Sequence, residues 1–495
     1  MPSNTTFAKA LIVMALLEGI SLLSFVYPAI SLPLLLVAAV ATFFMSLRKL
    51  EWGIYILFGE LFLGSRGHLL EHGFLSLRLV VFLAVFVAWI VSRIKNQESR
   101  IKELQTVIHN SKFIILYALL LLVIGLGVVN GYFRGSGLAN IFNDANGYLY
   151  LAILPAVLAG IRTQEAVAKL FKILGAAVVI IAVKTLILFV WFTYGLGGVA
   201  TLYHWVLDQD IGEITGVVGS ASRIFMQSQF YALVGLFVFG LLTLPLPLPS
   251  GGGDEEEDSS PLVGEVGWGG KWLVVAAAIF SVIMSLSRSF WLGGIVGAVF
   301  AAAMLLFYFR VSWKRFAKFA AVLILIAGAE VSIFVAVSKT AGQSETVGSR
   351  LENPVSEAAG GARLLLLPEL LEQIKQSPIV GKGFGREVTY SSYLPDRVTA
   401  DNPEGKITSF AFEWGYLDTI LKIGLAGTLV YLLFIAKVFG DGWSKFQVPG
   451  FKFQILGLLS GLVALVILNI TTPYLNHPLG IGYLMLSLVA FKNYE

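Results

Sequence analysis

The chain has 495 residues, of which 57% belong to the set AVILMFWYC and 13% are charged; its net charge is +4 and its mean hydropathy +0.81. Soluble domains are about 45–50% apolar and about 25% charged, so the composition excludes a soluble globular protein and indicates a polytopic membrane protein. It also disfavours a porin-type barrel, whose polar lumen lowers the apolar fraction, and the lack of cysteine excludes disulfides and thiolate metal sites.

Fourteen apolar runs with few charges follow one another along the chain. They occupy residues 7–27, 29–47, 52–64, 77–91, 113–130, 147–160, 170–195, 224–246, 272–286, 290–309, 319–337, 413–436, 453–470 and 480–491. A bilayer core requires about 20 helical residues and several runs are shorter, so we expect about 12 to 14 spans, with 14 as the best count. The predicted fold class is an all-α polytopic membrane helical bundle.

Lysine and arginine are distributed unevenly between alternate connections. With the amino terminus in the cytoplasm, 20 of the 35 basic residues fall on the cytoplasmic side. The short outer loops and span ends carry five, namely Arg66, Arg78, Arg134, Arg223 and Arg288. Eight more lie in a long outer segment, and Lys184 and Lys422 lie inside spans. This bias predicts that both termini are cytoplasmic. Glu18, with no small-residue cleavage signature near it, predicts that the first span is retained.

Two polar segments divide the chain into regions. We predict N-terminal transmembrane helices in residues 1–222, central transmembrane helices in 223–338, a large periplasmic catalytic loop in 339–412 and C-terminal transmembrane helices in 413–495. Segment 249–270, within the central region, is acidic and glycine-rich, which predicts a flexible cytoplasmic linker. Segment 339–412 is far longer than a connection requires, and loops of that length are usually functional.

The long outer loop contains one predicted helix. Residues 362–376 have an amphipathic pattern, in which Pro368 either kinks the helix or marks its first turn. Ser377 and Pro378 predict its end. The tract GKGFG at 381–385 could bring backbone N–H groups near an anion. No strand precedes this tract, so neither the dinucleotide-binding motif nor the P-loop applies.

Three arginines at the outer ends of helices are the main candidate site residues. Arg223 opens the eighth span, Arg288 lies between the ninth and tenth, and Arg363 begins the loop helix. A guanidinium group is always charged and binds phosphate oxygens in a bidentate fork, so the three suit a phosphate-bearing ligand. The alternative is that each only reaches towards lipid headgroups.

Glu413 adds a carboxylate where the long loop re-enters the membrane. Partial burial there would favour a role as general base, and the alternative is a simple pair with one of the arginines. Asp418 and Lys422 are four residues apart on one helix, which predicts a structural ion pair. The histidines are scattered without a metal-ligand cluster, so we predict no metal site, and no nucleophile elbow indicates a hydrolase triad.

Several of these segments together resemble the O-antigen ligase and polymerase superfamily. Arg363 to Leu367 fits the Arg-x3-Leu motif of the large periplasmic loop, and the spacing from Trp414 to Gly424 and Gly427 fits the end of a His-[Asn/Ser/Gln]-x9-Gly-x-x-Gly motif. The tract SLSRS at 285–289 resembles the family's Ser-x-Ser-Arg-x helix start. Arg223 is similar to the arginine of a further motif whose glycine, proline and asparagine are absent here. Where ligases have His-Asn, this chain has Glu413-Trp414.

The resemblance implies a fold, a reaction and partners. It implies a multi-pass protein of the bacterial inner membrane that transfers a glycan from undecaprenyl pyrophosphate to an acceptor hydroxyl at the periplasmic face, in surface polysaccharide or lipopolysaccharide biosynthesis. The acceptor would be a glycan for a polymerase or lipid A core for a ligase, and both remain open. No cofactor, metal or nucleotide sugar is implied. Arg223, Arg288 and Arg363 would bind the pyrophosphate, and Glu413 with Arg288 would be catalytic.

Two readings compete with a transferase. A lipid-linked oligosaccharide flippase or secondary transporter would place charges near the bilayer midplane, and Glu18, Glu60 and Lys184 keep this alternative open. The charges of interest instead gather at the outer face, and no internal repeat is evident. A scaffold without activity would leave the outer arginines without a role.

Overall fold

The computed structural model describes residues 5–95, 111–216, 222–244, 268–340, 358–392, 398, 401–448 and 450–494. The described helices of the first half are α1 (Thr5–Val26), α2 (Ser31–Arg48), α3 (Leu50–Leu63), α4 (Leu77–Lys95), α5 (Ser111–Phe133), α6 (Leu138–Leu149), α7 (Leu154–Gly160), α8 (Gln164–Tyr194), α9 (Val199–Asp208) and α10 (Gln229–Leu241). Those of the second half are α11 (Trp268–Met284), α12 (Arg288–Ala303), α13 (Trp313–Thr340), α14 (Ala358–Lys375), α15 (Gly415–Ser444), α16 (Lys452–Leu468) and α17 (Pro478–Asn493). Most of the acidic segment 249–270 lies outside the described residues.

Short antiparallel hairpins lie in three of the connections between helices. They pair β1 (Glu71–His72) with β2 (Leu75–Ser76), β3 (Glu213–Gly216) with β4 (Ser222–Phe225), and β5 (Val388–Ser391) with β6 (Lys406–Ser409). In the β3–β4 hairpin Thr215 lies opposite Arg223. Short 3₁₀ turns, among them Tyr150–Ile153 and Tyr474–Asn476, complete the ordered connections. Strands are therefore confined to loops, and helices carry the fold.

Eight of the described helical segments are long and apolar enough to cross a membrane. They are Thr6–Val26, Pro28–Arg48, Leu77–Ile94, Lys112–Phe133, Gln164–Thr193, Arg288–Tyr308, Trp313–Val337 and Gly415–Gln447. Helices α10, α11 and α16 are shorter apolar helices. Each of the fourteen predicted runs overlaps helical structure. The predicted class, an all-α polytopic membrane protein, is confirmed, and the count of 14 spans stays a prediction.

Two of the apolar runs fold differently from the prediction. Run 147–160 is the second half of a longer helical stretch, in which α6, the turn Tyr150–Ile153 and α7 follow one another without a gap. Pro155 lies in the first turn of α7, where its missing N–H costs no hydrogen bond. Run 224–246 begins in strand β4, and its helix starts only at Gln229.

The outermost helices have apolar surfaces. On α2 and α13, Val37, Ile324 and Leu325 are 65%, 69% and 71% exposed, whereas α10 and α17 are buried along almost their whole length. Each Å² of such surface costs about 25 cal/mol in water, so these faces suit a lipid environment. The protein core accordingly lies among α8, α10, α16 and α17, inside a shell of lipid-facing helices.

Several charged side chains within the bundle are paired with each other. Arg78 donates from Nε and Nη2 to the two carboxylate oxygens of Glu60, at 3.0 and 3.1 Å. Lys184 on α8 forms an ion pair with Glu18 on α1. A buried charge is costly unless it is paired, and these contacts pair Glu18, Glu60 and Lys184, the residues on which the transporter alternative rests.

The chain termini and the candidate arginines lie at opposite ends of the helical bundle. Ser21, in the last turns of α1, contacts Gln209 in the connection that leads to Arg223, so the first helix begins at the opposite end. At that opposite end, Asn493 near the end of α17 donates to the carbonyl of Ile161 at 3.2 Å. The start of α1 and the end of α17 therefore lie at the same end of the bundle. The three candidate arginines lie at the other end, which we call the site end.

Candidate active site at the site end

Arg223 lies on strand β4, not at the start of a helix as predicted. Its Nε donates to the carbonyl of Ser285 at 2.9 Å, and its guanidinium lies 4.8 Å from the centre of the Phe225 ring. Nη1 is 3.9 Å from a carboxylate oxygen of Glu213 on the partner strand. The side chain is 19% exposed, so Arg223 is held against the end of α11 and is mostly buried.

Arg288 is the first residue of α12, and the surrounding serines hold its position. Ser287 is the N-cap residue, and its hydroxyl accepts a hydrogen bond from the N–H of Phe290. The Ser285 hydroxyl accepts from the N–H of Ser287 at 3.2 Å. Because the Ser285 carbonyl also accepts a hydrogen bond from Arg223, this tight turn holds Arg223 next to the start of α12. Arg288 is exposed. The Ser-x-Ser-Arg spacing is thus a capping arrangement that presents an arginine at a helix start.

Arg363 and Glu413 form an ion pair across the long loop. Arg363 Nε donates to Glu413 Oε2, and the indole N–H of Trp414 donates to the carbonyl of Arg363 at 2.9 Å. The two charged side chains are 29% and 56% exposed. The burial expected for Glu413 is therefore not found, and the alternative interpretation, a pair with one of the arginines, describes the observed contact.

The connection between α16 and α17, which the sequence did not indicate, links these two parts of the site. Ser289, next to Arg288, has its hydroxyl 2.9 Å from that of Thr471. Asn469 packs so closely on Gly415 that a Cβ there would lie 2.3 Å from its carbonyl oxygen. Gly415 begins α15, directly after Glu413 and Trp414. The α16–α17 connection therefore lies between Arg288 and the Arg363–Glu413 pair. Two threonines and an asparagine after an apolar helix gave too weak a signal to identify it.

The loop helix α14 is longer than predicted and contains Pro368 in its interior. It starts at Ala358, so Pro368 neither begins it nor ends it. Leu366 and Leu370 on one face are buried against Val388, Phe412 and Leu421. This apolar face fastens α14 to β5 and to the start of α15, which holds Arg363 beside Glu413. The apolar face is narrower than the predicted one, because Leu364 and Leu371 are 48% and 37% exposed.

The glycine-rich tract 381–385 uses its backbone N–H groups within the protein. The N–H groups of Lys382 and Gly383 donate to the carbonyls of Leu421 and Lys422, at 2.6 and 3.1 Å. The next two, of Phe384 and Gly385, donate to the carbonyl of Gly127 and to a carboxylate oxygen of Asp144. The expectation that this tract binds an anion through its backbone is wrong for these four groups, because α5, α6 and α15 already accept their hydrogen bonds.

Helix α15 bends at Gly424, where the same tract enters. Gly424 has φ +70°, and the N–H groups of Leu425 and Ala426 donate to the carbonyls of Pro378 and Ile379 at 2.8 and 3.2 Å. A Cβ on Gly424 would lie 2.0 Å from the Ile379 oxygen. The first glycine of the Gly-x-x-Gly spacing is therefore required both by its left-handed backbone and by the close approach of the loop.

Replacing Gly424 by alanine is expected to destabilise the protein. With φ +70° and ψ 178°, a conformation essentially restricted to glycine, the backbone alone costs a residue with a Cβ about 1–3 kcal/mol, and the contact with the Ile379 carbonyl adds to this. Thermal unfolding of the detergent-purified protein measures the loss. Gly440→Ala is the matched control, because Gly440 lies in the same helix with open space around it and gains helix propensity. Equal unfolding temperatures for the two variants would contradict the assigned role of Gly424.

The predicted Asp418–Lys422 pair is present and belongs to a larger buried network. Lys422 Nζ lies 2.6 Å from Asp418 Oδ1 and also pairs with Asp144 on α6, and all three side chains are 3% exposed. Asn476 donates to the second oxygen of Asp418 at 2.6 Å. Asp144 lies just before a predicted apolar run. Had the predicted run 147–160 begun one helical turn earlier, it would have included Asp144 as an acidic residue on a membrane helix.

The histidines have separate partners. His68 lies 2.8 Å from Glu71, and His204 lies 3.3 Å from Asp208 four residues further on. His477 is the N-cap residue of α17, and its Nδ1 accepts from the N–H of Leu479. Burial, together with the nearby Arg78, Arg66 and His68, lowers the pKa of His477 well below its usual value, so this imidazole is neutral at pH 7. No cofactor or metal follows from these contacts, and the metal-free reaction stays a prediction.

Comparison with known families agrees with this arrangement. Residues 273–432, about a third of the chain, match the family model of the O-antigen ligase domain. The predicted resemblance to the O-antigen ligase and polymerase superfamily is confirmed, and at the family level it supports glycan transfer of the O-antigen ligase type. The matched segment begins in α11 and ends in α15, so it contains Arg288, Arg363 and Glu413 but not Arg223. No curated protein matches the chain.

Proposed function

We propose that the protein transfers a glycan from undecaprenyl pyrophosphate to an acceptor hydroxyl at the periplasmic face of the bacterial inner membrane, without a metal ion. The observation that carries this proposal is the position of Arg288 and the Arg363–Glu413 pair on either side of the α16–α17 connection, within the segment that matches the O-antigen ligase domain. The basic-residue bias of the loops supports the periplasmic orientation of the site end.

The arginines suit the leaving group of this reaction. When the bond between the anomeric carbon and the pyrophosphate oxygen breaks, negative charge develops on undecaprenyl pyrophosphate. Arg223, Arg288 and Arg363 would stabilise that charge, and guanidinium groups can bind two phosphate oxygens at once. Arg223 and Arg288 are close together because both are fixed by the turn at Ser285. Arg363 reaches the site from the loop helix.

In the proposed reaction, Glu413 acts as a general base only after its ion pair with Arg363 is broken. In the structure its carboxylate is bound by Arg363. A pyrophosphate carries more negative charge than a carboxylate, so a bound donor would compete for the guanidinium and release Glu413. The acceptor hydroxyl oxygen would attack the anomeric carbon, with inversion of configuration, while the released carboxylate accepts the proton of that hydroxyl. Donor binding and base activation would thereby be linked.

A reconstituted assay tests the proposed reaction. Purified protein is incubated with undecaprenyl-pyrophosphate glycan in EDTA, with and without lipid A core, and the products are separated by size. Extended lipid-linked chains would identify a polymerase, and glycan on lipid A core would identify a ligase. Absence of transfer under every condition would rule out the enzyme. Glu18, Glu60 and Lys184, which keep a flippase open as the alternative, are ion-paired inside the bundle.

Replacing Glu413 by glutamine is expected to reduce transfer about 10²- to 10⁴-fold, because a general base contributes about that much. The reconstituted assay measures the rate at saturating donor and acceptor. Glu404→Gln is the matched control, since Glu404 is an exposed acid of the same loop that pairs with the nearby Lys406. A near-normal rate in Glu413→Gln would remove Glu413 as the base and leave its pair with Arg363 as a structural contact.

A further inference from the structure

Three cations lie together at the far end of α14. They are Arg134 at the end of α5, and Lys382 and Arg386 after α14, and we call them the basic cluster. Arg386 donates to Gln373, which is ten residues beyond Arg363 along α14. At about 1.5 Å per residue this places the basic cluster about 15 Å from the Arg363–Glu413 pair. It is separate from the candidate active site.

The partners of the basic cluster are neutral. Arg134 donates to Asn130 at 2.8 Å and to Ser377 at 3.4 Å, Lys382 donates to Gln376 at 2.7 Å, and Arg386 donates to Gln373 at 3.1 Å. The nearby acids bind elsewhere: Glu387 accepts from Asn140, and Asp144 pairs with Lys422. Within the described ranges of the chain, no carboxylate forms an ion pair with any of the three cations.

The cluster has the composition of an anion-binding site. Lys382 is only 9% exposed, and burial, then Arg386 and Arg134, lower its pKa. The Nε of Arg386 is buried and, among the described residues, has no hydrogen-bond acceptor. Like charges held together around a buried amine raise the free energy unless an anion binds between them. A phosphate group has the charge and the acceptor oxygens to do this.

An apolar surface adjoins the basic cluster. Ile379 and Val380, which precede Lys382 by three and two residues, are 65% and 60% exposed. Their turn is hydrogen-bonded to the bend of α15, where Leu425 and Leu429 are 52% and 58% exposed. A continuous apolar surface next to three cations complements a molecule with an anionic head and a hydrocarbon chain.

We propose that the basic cluster binds the phosphate headgroup of a membrane lipid, whose hydrocarbon chain lies along Ile379, Val380, Leu425 and Leu429. This site does not depend on the proposed transfer reaction. Its chemistry is shared by two sources, an anionic phospholipid of the bilayer and a polyprenyl phosphate. The cluster thus binds a lipid phosphate about 15 Å from the Arg363–Glu413 pair.

Native mass spectrometry of the full chain in detergent tests this site. Phosphatidylglycerol, undecaprenyl phosphate and phosphate-free diacylglycerol are titrated into the wild type and into the triple variant Arg134→Gln/Lys382→Gln/Arg386→Gln. We expect the triple variant to bind the phosphate-bearing lipids at least about tenfold more weakly, since each cation near a lipid surface contributes substantially to binding. Diacylglycerol binding should not change. The matched control is Lys375→Gln/Lys406→Gln, which removes two exposed cations of the same loop.

The possible results distinguish a phospholipid site from a polyprenyl phosphate site, and both from the absence of a lipid phosphate site. Weaker binding of both phosphate lipids supports a general phosphate site, and weaker binding of undecaprenyl phosphate alone supports a polyprenyl site. Equal binding by wild type and triple variant overturns the proposal. If the triple variant does not fold, Arg134→Gln alone, at an exposed helix end, gives the same comparison. Arg288→Ala should retain phosphatidylglycerol binding, which distinguishes failure of this site from failure of the proposed transfer reaction.

Discussion

Replacing Arg288 by alanine is expected to lower the rate of glycan transfer about 10²- to 10³-fold while the protein still folds. In the proposed reaction, a fixed cation at the start of α12 would stabilise charge that develops only as the pyrophosphate leaves, and one such group contributes about this much. The reconstituted assay, with the rate measured at saturating donor, gives the effect on the turnover step. Size-exclusion elution and the unfolding temperature check that the variant is folded.

A lysine at the same position should restore only part of the activity. It keeps the charge but offers a single point of contact in place of a planar fork, so we expect Arg288→Lys to fall between wild type and Arg288→Ala. Arg315→Ala is the control for removal of an exposed arginine, because Arg315 lies at the start of α13, at the opposite end of the bundle. If Arg288→Ala transfers glycan as fast as Arg315→Ala, Arg288 has no part in the reaction.

Replacing Lys422 by methionine is expected to cost about 3–5 kcal/mol of stability. Methionine has nearly the length of lysine but no charge, so Asp144 and Asp418 would be left buried, facing each other without a cation. Removing one partner of a buried ion pair usually has a cost of about this size. Asp144 also accepts from the N–H of Gly385, so a shift of Asp144 would weaken the contact of the loop after α14 with α6. Thermal unfolding in detergent measures the change.

The same helix provides the control for Lys422. Lys437 pairs with Asp441 four residues on, but these side chains are 31% and 35% exposed, and exposed pairs of this kind contribute about 0.3–0.5 kcal/mol. Lys437→Met should therefore change the unfolding temperature little. The triple variant Asp144→Asn/Asp418→Asn/Lys422→Met removes the unpaired charges and should recover much of the loss. An unchanged unfolding temperature in Lys422→Met would show that the network does not stabilise the bundle.

The structure changes how the candidate site residues are understood. From the sequence, Arg223, Arg288, Arg363 and Glu413 were four separate polar positions at the outer ends of apolar runs. The serines around Arg288 explain how two of them meet, and the α16–α17 connection explains how these two lie near the other pair. Glu413 is exposed and ion-paired, so its role as a base requires that a ligand first release it.

The sequence alone determined the membrane class, the approximate helices and the Asp418–Lys422 pair. Each depends on local information: apolar composition decides the solvent of a helix, and four residues of separation put two side chains on one helical face. The tertiary structure alone decided which distant groups meet. Lys422 and Asp144 are 278 residues apart in the chain, and Arg363 and Glu413 are 50 apart. A charged residue can pair with any opposite charge that packing brings near, so partner choice follows from the assembled bundle. The low charge content thus indicates that the protein lies in a membrane, and the packing of the helices determines which partner each of its few charged residues has.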